Sequence, residues 1–106
     1  MTVKQEYEAI FCIVNHGFSD LVMKAAKQNG ARGGTIITAR GTGDEETEKF
    51  YGIVITPEKE IVMILVPKKI KDNILHAIYD SVGLESPGQG IIFSMPISNV
   101  AGINEE

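Results

Sequence analysis

Glu60-Ile61-Val62-Met63-Ile64-Leu65-Val66-Pro67 decides how this chain folds. Its six consecutive apolar residues are mostly β-branched, and such residues pack well on a pleated surface. The run falls far short of the roughly 18 apolar residues needed to span a bilayer, so it reads as a buried strand. Pro67 closes it, because proline cannot donate to a hydrogen-bonded ladder. Side chains alternate between the faces of a strand, and here Ile61-Met63-Leu65 and Val62-Ile64-Val66 are both apolar. Both faces of this strand therefore need cover.

After it, Ile70, Ile74, Leu75, Ile78 and Val82 recur at helical spacing, which predicts a helix from about Lys69 to Val82, ended by Gly83. Ile91-Ile92-Phe93-Ser94-Met95 follows as a last strand, and Ile97 to Glu106 is a tail of little periodicity. Before it, Pro57 interrupts and Phe50 to Ile55 can be extended. The stretch from Arg40 to Lys49 is polar, glycine-broken and acidic, hence an exposed loop. Thr35-Ile36-Ile37-Thr38-Ala39 is another strand, entered through Gly33-Gly34. Glu8 to Val14 opens the fold as a strand, and Asn15-His16-Gly17 turns the chain. Ser19 is placed as the N-cap of a helix over about Asp20 to Asn29, with Leu21, Val22, Ala25 and Ala26 on one face. Asn29-Gly30 ends that helix, glycine being free to take a left-handed conformation.

The order is strand, helix, strand, strand, helix, strand. Two right-handed β-α-β crossovers on one antiparallel sheet predict an α+β, ferredoxin-like βαββαβ sandwich, with both helices on one face. The other face should then alternate to polar residues if it meets water, yet Ala9, Phe11 and Ile13 are as apolar as Ile10, Cys12 and Val14. An apolar face of that extent predicts a homo-oligomer joined through its sheets. The competing arrangement folds the long central loop over the same face.

The totals agree with one domain spanning residues 1–106: 43% of residues are hydrophobic and mean hydropathy is +0.03. The first residues lack the layout of a signal peptide. Cys12 is the only cysteine, so no internal disulfide forms and a reducing cytoplasm is the natural setting. A net charge of −4 argues against nucleic acid as a partner, and no segment is suited to direct membrane insertion.

Few residues carry an obvious chemistry. Gly88-Gln89-Gly90 before a strand is either a plain tight turn or a small nest whose backbone N–H groups meet an anion. Arg40 and Lys59 bracket the central loop and either contact an anion or are ordinary solvated charges. Lys68, Lys69 and Lys71 stand near a helix start, against the dipole, and either hold an anion or, the favoured reading, form a solvated face. Asp44, Glu45, Glu46 and Glu48 lack the fixed spacing of a calcium loop, His16 reads as a turn residue, and His76 is placed beside the apolar stripe as a structural residue. Cys12 has no His or Cys at ligand spacing and is assigned to the core, so no metal and no catalytic residue is expected.

The pieces resemble the P-II nitrogen-regulatory signal proteins. That resemblance rests on Gly33-Gly34-Thr35, on Arg40-Gly41-Thr42-Gly43, on Pro57 to Pro67, and on Gly88-Gln89-Gly90 followed by Ile92-Phe93. It covers roughly Glu8 to Val100, with residues 41–50 matching the family's mobile T-loop and 86–90 its B-loop. It implies a cytoplasmic homotrimer, not an enzyme, that binds an adenine nucleotide (ATP, ADP or AMP) between subunits as a regulatory effector and needs no cofactor. The implied ligand contacts are Gly33, Thr35, Met63 and Leu65 around the base. The resemblance further implies contacts from Arg40, Gly41 and Lys59 at the loop base, and from Gly88, Gln89 and Gly90 to phosphates. The implied partner is a membrane transporter or a metabolic enzyme, engaged by the loop.

Departures from the family pattern bear on the ligand. A lysine expected after the B-loop is Ile91, and two arginines expected in the tail are Gly102 and Asn104. Cations facing phosphates are the usual source of affinity, so a less charged ligand or weaker binding follows. The family's modified tyrosine falls on Gly52, beside Tyr51, and its magnesium-holding glutamine has no counterpart in 43–46. Two other readings of the same fold are an acylphosphatase-type enzyme and a trimeric metal-tolerance protein. The first needs an arginine that Asn15-His16-Gly17-Phe18 lacks, the second clustered His and Cys.

Overall fold

A computed structural model describes residues 6–42 and 58–103. Its elements are β1 (Tyr7–Asn15), α1 (Ser19–Gln28), β2 (Thr35–Arg40), β3 (Glu58–Pro67), α2 (Lys68–Val82) and β4 (Ile91–Ile97). The strands form one antiparallel sheet in the order β2-β3-β1-β4, the ferredoxin-like arrangement. The expected strand at 50–55, the acidic run at 44–48 and Tyr51 lie outside the described residues, as do most of loop 41–50 and Asn104.

The two apolar registers of β3 serve two different purposes. Val62, Ile64 and Val66 point to the helices and are fully buried with Ile10, Cys12 and Val14 of β1. Val22, Ala25 and Ala26 of α1 and Ile74, Ile78 and Val82 of α2 complete that core, each large side chain contributing about 1.5–3 kcal/mol on burial. The second register faces away from the helices. Phe11 of β1 stands opposite both Met63 of β3 and Phe93 of β4, and the two phenyl rings stack with centroids 5.2 Å apart. Along the same face Ile37, Leu65, Phe93 and Met95 are 44%, 39%, 43% and 45% exposed. The helix-free face thus carries apolar side chains on all four strands, and much of it is exposed among the described residues, though Tyr7 and Ala9 on it are buried.

The start of α1 corrects the expected cap. Ser19 is the first helical residue, and the N-cap position belongs to Phe18, whose side chain cannot cap. The capping group comes from β3. The Glu60 carboxylate accepts from the Gly17 N–H at 2.9 Å and the Ser19 N–H at 3.3 Å. Phe18 instead packs against the core, which fixes how the chain enters the helix. At the far end Gly30 adopts φ 106°, and the N–H groups of Asn29, Gly30 and Ala31 return to Ala26 and Lys27 carbonyls.

Helix α2 follows Pro67 without a loop and begins at Lys68. In its basic first turn Lys68 and Lys69 are exposed, and Lys71 is the lysine drawn toward the sheet. Lys68 meets Glu6 at 3.3 Å, and Lys71 meets Asp72 at 2.8 Å and the buried Glu8 at 3.8 Å. His76 is likewise not part of the packing. Its side chain is 81% exposed, 3.5 Å from Asp80 one turn on, because 76 falls on the solvent side of the stripe defined by Ile74 and Ile78. β4 runs past Pro96 to Ile97, which an edge strand allows.

Candidate ligand-binding site

The residues singled out in the sequence fall into two groups at opposite ends of the sheet. Thr35 pairs with Met63 at one end of β2, and Arg40 pairs with Glu58 at the other. Five strand steps of ~3.4 Å separate them, about 17 Å.

At the first end, a cavity of about 540 Å³ opens beside the start of β2. Gly33, Thr35, Met63 and Leu65 all line it. The loop after α1 supplies Gly33, and the helix-free register of β3 supplies the two apolar side chains. The volume is in the range that holds small metabolites. Sequence reasoning missed Tyr7, Arg32 and Ile103 in the same wall, and weighed Lys69 as an anion contact only to prefer a solvated face. Arg32 and Lys69 could be reached only as isolated charges in sequence, since their meeting depends on the β2–β3 register.

At the second end the organising residue is Asn15, read from sequence only as part of a turn. Its N–H donates to the Gly88 carbonyl at 2.9 Å, and its Nδ2 donates to the Pro87 carbonyl at 3.0 Å and to Gln89 Oε1 at 3.4 Å. Its Oδ1 accepts from Lys59 Nζ at 2.6 Å. One side chain thus joins the loop at 86–90 to the lysine at the base of the central loop. Gly41 lies against the Lys59 stem, and Arg40 is exposed opposite Glu58.

The glycines at 88 and 90 answer first to packing. A β-carbon on Gly90 would overlap the Val82 carbonyl oxygen, and one on Gly88 would lie 3.2–3.3 Å from Val82 and Phe18. The Gly90 N–H donates to Val82 O at 2.6 Å and the Gln89 N–H to Ser86 O at 3.0 Å. Gln89, between them, takes φ 49°, a left-handed value that costs a non-glycine residue about 1 kcal/mol. Two of the loop's N–H groups are therefore committed within the chain, and a phosphate contact through them would require this loop to rearrange.

Among the described residues, the titratable groups near either end form no nucleophile–base pair. The Glu60 carboxyl is held below the usual carboxylate range, chiefly by the Gly17 N–H, then by the Ser19 hydroxyl and N–H against the opposing effect of burial. Its neighbour His16 lies 3.9 Å away. Burial pushes the Cys12 thiol up to about 12, so it is inert as a nucleophile. Among the described residues no three His, Cys, Asp or Glu side chains are grouped to hold a metal, and no helix is long and apolar enough to cross a membrane.

No curated protein matches the sequence at a significant level. Among solved structures, the chain is similar to Arabidopsis thaliana PII bound to citrate, with TM-score 0.67 and 23% identity over 89% of this chain and 79% of that one. It is also similar to the B. subtilis GlnK–ATP complex, with TM-score 0.66 and 16% identity over 93% of this chain and 88% of that one. A PII-like signaling protein from Thermus thermophilus matches with TM-score 0.66 and 16% identity over 88% and 87% of the two chains. At such identities these likenesses establish the shared fold. The family is established separately, by the family model for nitrogen regulatory protein P-II, which matches residues 7–106. The chain therefore belongs to the P-II family of nitrogen regulatory proteins.

Proposed function

We propose that this protein is a cytoplasmic regulator, not an enzyme, which binds a small anionic effector in clefts between copies of itself. The observation that carries the reading is the division of the site. The cavity holding Gly33, Thr35, Met63 and Leu65 is lined by none of Arg40, Gly41, Lys59, Gly88, Gln89 or Gly90. If one ligand is to meet both groups, the second group must come from another copy. The apolar helix-free face supplies the means, since burying Ile37, Leu65, Phe93 and Met95 against a second sheet removes a large apolar area from water. The family favours three copies.

The effector in this reading is an adenine nucleotide. PII bound to citrate and GlnK with ATP both hold polyanions, and this chain carries Ile91, Gly102 and Asn104 where the family pattern has cations. AMP or ADP is therefore favoured over ATP. Residues 41–50 would present the bound state to a partner, a membrane transporter or a metabolic enzyme. An acylphosphatase-type reaction is disfavoured by a particular contact. The anion-binding turn before α1 already holds the Glu60 carboxylate on its Gly17 and Ser19 N–H groups.

Light scattering with calorimetry tests the reading. A trimer that takes up AMP or ADP more tightly than ATP is the expected result. A monomer, or the absence of heat with every adenine nucleotide, linear or cyclic, overturns it.

A further inference from the structure

The cavity beside β2 has a charge that neither its apolar β3 wall nor the net charge of the chain would suggest. Among the described residues its lining includes two cations, Arg32 from the loop after α1 and Lys69 from the first turn of α2, and no carboxylate. The chain as a whole carries −4. Lysines 68 and 71, on either side of Lys69, are matched by Glu6, Glu8 and Asp72, whereas Lys69 pairs with no carboxylate among the described residues. Ile103 forms part of the same wall, and its neighbours at 102 and 104 are the glycine and asparagine that replace expected arginines.

We infer that Lys69 and Arg32 hold the anionic group of the effector in this cavity. The ligand class is an amphipathic anion. Its apolar or planar part lies on Met63 and Leu65, and its phosphate or carboxylate meets the ammonium and the guanidinium. Two cations on one side suit one compact anionic group better than an extended triphosphate. The inference deepens the proposed function, since it concerns the same cleft, but it requires only an anion and not a nucleotide.

The test is calorimetric titration of the full chain, wild type and the Lys69→Gln, Lys69→Glu and Arg32→Gln variants, with four probes: AMP, adenosine, citrate and inorganic phosphate. Lys24→Gln, an exposed α1 lysine outside the cavity lining, makes the same charge change as a control. Unliganded melting curves establish that each variant folds. Loss of one charge-assisted contact should weaken binding roughly tenfold or more. We expect that loss for AMP or citrate in Lys69→Gln and Arg32→Gln, a larger one in Lys69→Glu, and none in Lys24→Gln. Adenosine affinity should stay the same across the series.

If citrate or phosphate binds through Lys69 while nucleotides do not, the nucleotide reading fails and this inference stands. If AMP binds equally to wild type, Lys69→Gln and Arg32→Gln, the inference fails and the nucleotide reading stands. If no anionic probe distinguishes the wild type from folded Lys69→Glu, the inference is overturned.

Discussion

Glu60 should stabilise the fold through a helix 41 residues away in sequence, and removing it is a quantitative test of the architecture. Its carboxylate accepts two backbone N–H groups at 2.9 and 3.3 Å, and the side chain is only 14% exposed. Replacing a capping side chain by alanine costs about 0.5–2 kcal/mol, and bonds to a charged acceptor lie at the upper end. One of these two bonds is long and Gly17 is exposed, so water recovers part of the loss. Glu60→Ala should therefore cost about 1.5–2 kcal/mol, a fall in Tm of roughly 6–16 °C for a domain of this size. Glu60→Gln keeps an acceptor but loses the charge facing the helix N-terminus, and should cost about 0.5–1 kcal/mol.

The pH dependence separates the charge from the shape. The Gly17 N–H holds the folded-state carboxyl below its unfolded value, so the unfolded chain takes up the proton first. The stabilisation is complete above the unfolded value, near ~4.3, and is lost as pH falls through the lowered folded value. Urea unfolding at fixed protomer concentration should show Glu60→Gln less stable than wild type at pH 7, with the gap closing on acidification. The capping argument fails if Glu60→Ala unfolds at the wild-type midpoint, or if the Glu60→Gln gap stays constant into the acid range.

Other expectations are narrower. Gly90→Ala places a methyl group against the Val82 carbonyl and should destabilise by about 1–3 kcal/mol in urea, the usual cost of overpacking. Asn15→Ala removes the side-chain bonds to Pro87, Gln89 and Lys59, with an expected cost of about 1–2 kcal/mol and faster amide exchange at Gln89. Cys12 should resist aromatic disulfide reagents at pH 8 until urea unfolds the chain, and rapid native labelling would contradict its burial. Phe93→Glu puts a charge into the exposed apolar face and should shift light scattering toward monomer; an unchanged mass would place the interface elsewhere.

The strands and helices were legible because each rests on a local pattern. The run Ile61 to Val66 and the spacing of Ile70, Ile74, Ile78 and Val82 need no distant partner to be recognised. The apolar second face was legible for the same reason, since alternation is a local property. Contacts that cross the fold were not. Ser19 has the chemistry of an N-cap, but Glu60 reaches the same N–H groups from β3 and Phe18 is held in the core instead. Asn15 looked like one polar residue in a turn until the loop at 86–90 came to lie on it. Lys69 looked like its neighbours until Glu6, Glu8 and Asp72 took Lys68 and Lys71 and left it beside the cavity.

These distant contacts also make the two ends of the sheet chemically unequal. Helix α1 begins where β1 leaves the sheet and α2 where β3 leaves it, so each end receives one helix N-terminus and its pull on anions. At the α1 end the chain supplies the anion itself, Glu60, and a second anion there would have to displace a carboxylate held by two N–H groups. At the α2 end no acidic residue stands in the first turn, and Lys69 lines the open cavity beside Arg32. An effector bridging two copies would meet an open, cationic end on one and a self-capped end on the other. There Lys59 already gives one of its three ammonium donors to Asn15. On the proposed reading, binding at such a cleft would begin at the cavity and reach the Lys59–Asn15 end second. A change in shape on binding would then be expected at the base of the central loop, where Gly41 lies against the Lys59 stem.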